Sequence, residues 1–279
     1  MTVSLDFLTH YQQPYYLYDS LPDFYTDHLF APFALTDAFI KEAGETNHPI
    51  LHFWQTEPVV VLGMMDTKLP FFKDSLSLFS DFSYDYLVRN SGGLAVVGDD
   101  GILNFSIVFP EEEGRLEIDE AYSRMHRLIQ AAFSDMTKEI DAFEVTDSYC
   151  PGAFDLSIKG KKIAGTAQRR IRGGIAIMIY LSVSGNQTKR AEMIRSFYEN
   201  GLKGTETQWT FPDVNPDSMT TLAEAFNTSL SVEEVKDRLT GVFETAGVSV
   251  VPGELTSRVH SFYEEGLEKM KKRNDKLLP

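Results

Sequence analysis

A series of short strands separated by glycine turns, between residues 84 and 110, constrains the fold more than any other segment. It reads YDYLVRN, SGG, LAVVG, DDG and ILNFSIVF, which predicts three strands joined by two turns. In the last strand an apolar series alternates with positions that include Asn104 and Ser106. Because alternate side chains of a strand point to opposite faces, we expect one face to be apolar and the other to border something polar.

Helical patterns lie on both sides of this segment. Apolar residues recur at steps of three and four over 119–140, and a shorter helix is predicted at 34–43 with Gly44 as its stop. A second strand group follows at 155–183. Further helices are predicted at 188–201, 218–226, 231–246 and 255–272. The chain should therefore have an α+β fold with a mixed, mostly antiparallel sheet flanked by helices.

Neither a repeat nor a low-complexity linker divides the chain of 279 residues. We predict one main domain at 33–250, preceded by an extension at 1–32 that packs on it and followed by a C-terminal helix at 251–279. A monomer is the expected state, since no long apolar surface is left over.

Charge and cysteine content exclude several classes of function. The 26 basic and 41 acidic residues give a formal charge of −15, which disfavours binding to nucleic acid or to an anionic membrane. No long apolar run and no basic signal-like start are present, so we expect a cytoplasmic protein. A single cysteine forms no internal disulfide, and beyond the loose pair His48/His52 no metal-ligand spacing occurs, so no metal is predicted.

The single cysteine lies in the segment Ser148-Tyr-Cys-Pro-Gly152. A free cysteine is usually a small buried hydrophobic residue. Here, however, Pro151 and Gly152 place the thiol on a turn, and turns are frequent positions for a nucleophile. A cation near Cys150 would hold more of the thiol as the reactive thiolate.

A basic stretch follows the cysteine, with six basic and no acidic residues over 159–172. It is either the solvated face of a β-hairpin or a docking surface for an acidic partner, with one lysine turned inward toward the thiol. Lys162 is the better candidate for the inward position. It precedes the apolar Ile163 and has the opposite strand parity from Lys161, so the two lysines should point to opposite faces.

Together, RNSGGLAVV, DDGILNFS, SYCPGAFDLSIKGKKIAG and TAQRRIRGG resemble the biotin/lipoate protein ligase and transferase superfamily, from about residue 33 to about 210. The resemblance is closest to the octanoyl-[glycine cleavage H protein]:protein N-octanoyltransferases, or lipoyl amidotransferases. It implies the catalytic core of class II biotin and lipoate ligases. It also implies that Cys150 forms an acyl-thioester, and that Lys162 favours the thiolate and hydrogen-bonds the reacting carbonyl or amine.

The resemblance also suggests which residues bind the substrates. Asn104, on the polar face of its strand, joins the candidates as a further residue. The predicted substrate-binding residues are Arg89, Ser91, Gly92, Gly93, Asn104, Gly165, Thr166 and Ala167. The predicted partner-docking residues are Lys159, Lys161, Arg169, Arg170 and Arg172.

The implied reaction moves an octanoyl group from the glycine cleavage H protein to a lysine of an E2 lipoyl domain, without ATP or a cofactor. Three alternatives stay open: an octanoyl-acyl carrier protein as donor, an ATP-dependent lipoate or biotin ligase, and an inactive relative that only binds lipoyl domains. ATP-dependent ligases usually carry R-R-x-S-G-G-G-A-V-x-H-D. Here Asn90, Leu94 and Gly98 replace its second arginine, third glycine and histidine, which should weaken nucleotide-phosphate binding.

Overall fold

The computed structural model describes residues 4–19, 29–111, 116–137 and 139–279, and within them the chain forms two sheets flanked by helices. This confirms the predicted α+β architecture. The strands are β1 (Tyr15–Asp19), β2 (Ile50–Trp54), β3 (Val59–Leu62), β4 (Asp85–Val88), β5 (Val96–Gly98), β6 (Ile102–Pro110), β7 (Ile140–Ala142), β8 (Leu156–Ile158), β9 (Lys161–Ile171), β10 (Gly174–Ser182) and β11 (Val250–Pro252).

The larger sheet has the order β11-β1-β2-β6-β10-β9-β8-β7. Its central strands β6, β10 and β9 pair antiparallel along most of their length, whereas β1 pairs parallel with both of its neighbours. The sheet is therefore mixed and mostly antiparallel, as predicted. β1 lies in the segment predicted as an N-terminal extension, where no sequence period indicates a strand. Residues 1–3 and 20–28 of that extension lie outside the described part of the chain.

The smaller sheet has β3 at its centre, with β4 parallel on one side and β5 antiparallel on the other. The three strands predicted between residues 84 and 110 are all present, but β4 and β5 do not pair with each other. The connection between them, residues 89–95, which we call the glycine segment, therefore does not close a hairpin. It crosses over Gly63, where an added Cβ would lie only 1.9 Å from the carbonyl oxygen of Gly93.

The helices of the described residues confirm most of the predicted positions. They are α1 (Asp6–Thr9), α2 (Ala31–Thr46), α3 (Phe72–Ser75), α4 (Ser77–Asp81), α5 (Ile118–Ala132), α6 (Gln187–Leu202), α7 (Leu222–Phe226), α8 (Val232–Thr245) and α9 (Ser257–Leu277). A capping box at Ser231 and Glu234 begins α8. Gly44 does not stop α2. It lies inside the helix, where its missing Cβ leaves room for the carbonyl oxygen of Arg172, 2.6 Å from the position a Cβ would occupy.

Two helical layers cover the large sheet. α2 packs on one face together with α9, and α5 and α8 cover the other face. The alternation predicted for β6 is confirmed, because Phe105 and Ile107 pack in the core beneath α5 while Val108 packs beneath α2. On the α2 face, Asn104 and Ser106 lie on the wall of a cavity.

The C-terminal helix is anchored along most of its length. Asn274, which is buried, accepts a hydrogen bond from the backbone N–H of Val88 (2.7 Å) and donates one to its carbonyl oxygen (3.1 Å). α9 therefore holds the strand that leads into the glycine segment. None of the helices in the described ranges is both long and apolar enough to cross a membrane.

Candidate active site

Cys150 lies in the long connection between β7 and β8, residues 143–155. Its φ of 48° is in the left-handed region, which costs a non-glycine residue about 1–3 kcal/mol and is found mainly where the surroundings enforce it. The surroundings here include Asp155, whose Oδ2 accepts hydrogen bonds from the N–H groups of Gly152 (3.1 Å) and Val145 (3.4 Å). The thiol is partly exposed, so it is held in place and remains accessible.

Lys162 lies behind this turn and is completely buried. Its Nζ donates to the carbonyl oxygens of Cys150 (2.7 Å) and Tyr149 (3.0 Å) and to Ser148 Oγ (3.2 Å). It also forms an ion pair with Asp155 Oδ1 at 3.0 Å. Burial raises the pKa of Asp155, and the adjacent ammonium of Lys162 opposes that shift. The ammonium group thus contacts the backbone of the cysteine.

The glycine segment faces the thiol from the other side. Cys150 Sγ accepts a hydrogen bond from the backbone N–H of Leu94 (3.2 Å) and lies 3.5 Å from Arg89 Nη2, which also donates to the carbonyl oxygen of Leu94 (2.8 Å). Gly93 has a φ of 96°. A Cβ at this position would lie 2.3 Å from Arg89 Nη2 and 3.0 Å from Sγ, so glycine is required for the approach.

A cavity of about 290 Å³ opens beside the thiol. Its floor follows the strand register, in which Asn104, Tyr180 and Gly165 form one row and Ser106, Met178 and Ala167 the next. Small residues on β9 leave the space that a chain of methylenes would fill. All eight predicted substrate-binding residues line this cavity together with Cys150, namely Arg89, Ser91, Gly92, Gly93, Asn104, Gly165, Thr166 and Ala167.

A charged clamp made of Asp37, Asn90 and Arg169 also lines the cavity. The guanidinium of Arg169 donates to both carboxylate oxygens of Asp37 (2.5 and 2.9 Å) and to the carbonyl oxygen of Asn90 (2.9 Å). Asn90 Nδ2 also donates to Asp37 Oδ2 at 3.0 Å. The clamp ties the glycine segment to α2 and to β9.

The basic stretch does not form one surface. Arg169 belongs to the clamp, and Arg170 donates to the carbonyl oxygen of Leu116 (2.6 Å). The exposed members are Lys159 and Lys161 at the β8–β9 turn and Arg172 at the opposite end of β9. At about 3.3 Å per residue, these two ends are roughly 33 Å apart. The predicted inward and outward orientations of Lys162 and Lys161 are confirmed.

Four acidic or phenolic side chains at this site were not predicted, namely Asp37, Asp66, Asp155 and Tyr198. Asp37 lies one helical turn from Phe33, so an acid on an apolar helix face could have indicated it. Asp155 falls within the cysteine motif itself. Asp66 and Tyr198 carry no local signal, because their hydrogen bond joins residues 132 positions apart.

The fold is that of a lipoyl ligase-type catalytic domain. Residues 28–244 match the family model of the lipoyl protein ligase A/B catalytic domain, and the chain belongs to that family.

Curated relatives narrow the class further. The chain is 40% identical over 245 residues to the octanoyl-[GcvH]:protein N-octanoyltransferase of Macrococcus caseolyticus, covering 88% of this chain and 89% of the relative. It is also 40% identical over 247 residues to the lipoyl-[GcvH]:protein N-lipoyltransferase of Listeria monocytogenes, with the same coverage.

Solved structures support the fold. A lipoate-protein ligase A bound with ATP superposes with a TM-score of 0.69 at 18% identity, covering 92% of this chain and 95% of that one. A bi-partite lipoate protein ligase and its E2 lipoyl domain from Thermoplasma acidophilum gives 0.68 at 19% identity, covering 96% and 98%. The expected ligase-like core is confirmed.

Proposed function

We propose that the chain is an acyltransferase that moves an octanoyl or lipoyl group from a lysine of the glycine cleavage H protein to a lysine of an E2 lipoyl domain, through a thioester on Cys150. The observation that supports it most is Cys150 itself, which lines the cavity and whose sulfur is contacted by Leu94 N–H and Arg89. The relatives named for the same donor support the choice of H protein.

In the first half-reaction the Cys150 thiolate attacks the carbonyl carbon of the acyl-lysine amide. A carbon–sulfur bond forms, the carbon–nitrogen bond breaks, and the leaving lysine nitrogen takes up a proton. Lys162 is the donor we propose, because its ammonium lies at the turn that carries the nucleophile, 2.7 Å from the Cys150 carbonyl oxygen. Lys162 is left as a neutral amine.

The second half-reaction regenerates the site. The acceptor lysine gives a proton to the neutral Lys162 and attacks the thioester carbon, so that a carbon–nitrogen bond forms and the thiolate leaves. Since one lysine amide replaces another, the net reaction is close to thermoneutral and needs no ATP. Cytoplasmic location remains a prediction from the sequence, and so does partner docking through Lys159, Lys161, Arg169, Arg170 and Arg172.

Intact-mass analysis tests this function. The purified protein is incubated without ATP with octanoylated H protein, and an apo lipoyl domain is added afterwards. We expect wild type to gain one octanoyl group that hydroxylamine removes and that the lipoyl domain discharges, and Cys150→Ser to gain no group that hydroxylamine removes. An adduct formed only with octanoyl-acyl carrier protein would show that the donor is wrong, and no adduct with either donor would contradict the thioester mechanism.

Lys162 has a matched control in its neighbour. Lys161→Ala changes an exposed lysine on the same strand, whereas Lys162→Ala removes the buried ammonium. We expect Lys162→Ala to slow both half-reactions by about 100-fold or more, within the range of general acid–base catalysis. Equal rates for the two variants would remove Lys162 from the mechanism.

A further inference from the structure

The ammonium of Lys162 is surrounded by oxygen atoms. An ammonium has three N–H donors, and the Nζ of Lys162 has four oxygen neighbours within 3.2 Å. Within the described part of the chain it makes no hydrogen bond to Cys150 Sγ. The groups that do contact the sulfur are Leu94 N–H and Arg89 Nη2.

We propose that Arg89 is a catalytic residue whose guanidinium, together with the N–H of Leu94, forms the anion site that holds the Cys150 thiolate, while Lys162 positions the turn and transfers the proton. The inference rests on the proposed function, since it assigns the charge of the nucleophile in that reaction. A thiolate is the form that attacks, and two converging donors stabilise an anion more than a neutral thiol.

The placement of Arg89 supports this role. Its backbone N–H continues the β3–β4 pairing through the carbonyl oxygen of Leu62 (2.9 Å), so the residue starts from a rigid strand end. Its side chain is buried, yet Nε has no hydrogen-bond partner among the described residues. An unpaired buried donor costs about 1–3 kcal/mol. The guanidinium is therefore oriented toward Sγ and Leu94 although this leaves one of its own donors unsatisfied.

A second group of residues fixes the N–H of Leu94. Asp66 Oδ2 accepts from the N–H of Gly63 (2.7 Å), and its Oδ1 accepts from the hydroxyl of Tyr198 (2.9 Å). The same hydroxyl accepts from the N–H of Ala95 at 3.3 Å. Because Gly63 packs directly against Gly93, these contacts hold the glycine segment on both sides of the N–H that contacts the sulfur.

The charges around the thiol favour Arg89 over Lys162. The ammonium of Lys162 is neutralised at 3.0 Å by Asp155. No ion pair involving Arg89 occurs within the described residues, and Asp66 interacts with it electrostatically without forming one. Tyr198 also interacts with Cys150, and burial raises its pKa well above the ordinary value, so it stays neutral. The cation that contacts the sulfur and forms no ion pair among the described residues is thus the guanidinium.

The test is the rate of Cys150 alkylation by iodoacetamide as a function of pH, measured on the whole protein. Arg89→Met should move the midpoint of the profile upward by about one pH unit, which lowers the rate at neutral pH about ten-fold. Lys162→Met should move the midpoint less than Arg89→Met does. Arg195→Met, which changes an exposed arginine on α6, serves as the matched control and should keep the wild-type profile.

A wild-type midpoint in Arg89→Met would overturn the inference, and a midpoint shifted only in Lys162→Met would assign the role to Lys162 instead. If Arg89→Met does not fold, Arg89→Lys decides, because lysine keeps the charge but cannot donate to Sγ and to the Leu94 carbonyl as a planar fork. We expect an intermediate midpoint for Arg89→Lys, and a wild-type midpoint would contradict the proposal. Alkylation requires no acyl donor, so the result stands even if the proposed donor proves wrong.

Discussion

Gly93→Ala is the most informative single change at this site. Gly93 has a φ of 96°, and a Cβ there would lie 2.3 Å from Arg89 Nη2 and 3.0 Å from Cys150 Sγ. Two effects follow. The backbone conformation costs an alanine about 1–3 kcal/mol, and the methyl group must displace the guanidinium, because neither the sulfur nor the strand can move away easily.

The matched control for this substitution is Gly204→Ala. Gly204 also has a positive φ, 71°, but no heavy atom lies within 4 Å of its Cβ position. It therefore carries the backbone cost without the contact. Gly204→Ala should lose roughly 2–4 °C of thermal stability for each kcal/mol of backbone cost, and Gly93→Ala should lose at least as much.

Only Gly93→Ala should lose activity. If displacement of Arg89 raises the barrier by about 1–3 kcal/mol, acylation of Cys150 slows about 5- to 150-fold, since 1.36 kcal/mol corresponds to ten-fold in rate. Single-turnover mass spectrometry with octanoylated H protein measures this rate, and differential scanning fluorimetry measures stability. Wild-type acylation by Gly93→Ala, or an equal loss in Gly204→Ala, would refute the reasoning.

Two further predictions concern the groups that hold the glycine segment. Burial raises the pKa of Asp66 in the folded protein from 3.8 to about 6. As the pH rises, this carboxyl group therefore ionises in the unfolded chain before it ionises in the folded protein, which lowers the free energy of unfolding. The loss is absent below about pH 4 and complete above about pH 6. The stability of Asp66→Asn relative to wild type should therefore rise by roughly 3 kcal/mol between pH 4 and 7 in urea titrations, and a pH-independent difference would contradict this. Arg169→Met removes the ion pair of the buried Asp37 and the hydrogen bond to the carbonyl oxygen of Asn90. We therefore expect the KM for the acyl donor to rise about ten-fold, with partial rescue by Arg169→Lys. An unchanged KM would show that the clamp does not shape the cavity.

Sequence patterns correctly predicted those features of the site that depend on a single strand. Strand parity alone placed Lys162 inside and Lys161 outside, and two-residue alternation placed Asn104 on the cavity wall. In both cases a side chain's direction depends only on its position within a strand.

The contacts that join distant elements could not be predicted in this way. The hydrogen bond between Asp66 and Tyr198 and the ion pair between Asp37 and Arg169 each span 132 residues. The sequence predicts a turn between β4 and β5, but these two strands do not pair with each other, because β3, which lies earlier in the chain, pairs between them. Such pairings depend on tertiary packing, and a single sequence contains no periodic pattern that would reveal them.

The same packing separates this site from that of an ATP-dependent ligase. The ligase motif places a histidine where Gly98 stands, and here a Cβ at that position would lie 2.5 Å from Thr56 Oγ1. A larger side chain would need the Thr56 side chain to move, so the position is closed to the residue that the motif carries. Leu94, which replaces the third glycine of that motif, directs its N–H to Cys150 Sγ at 3.2 Å. The segment after the glycines thus directs a backbone N–H to the thiol, which is the arrangement that the proposed thioester mechanism requires.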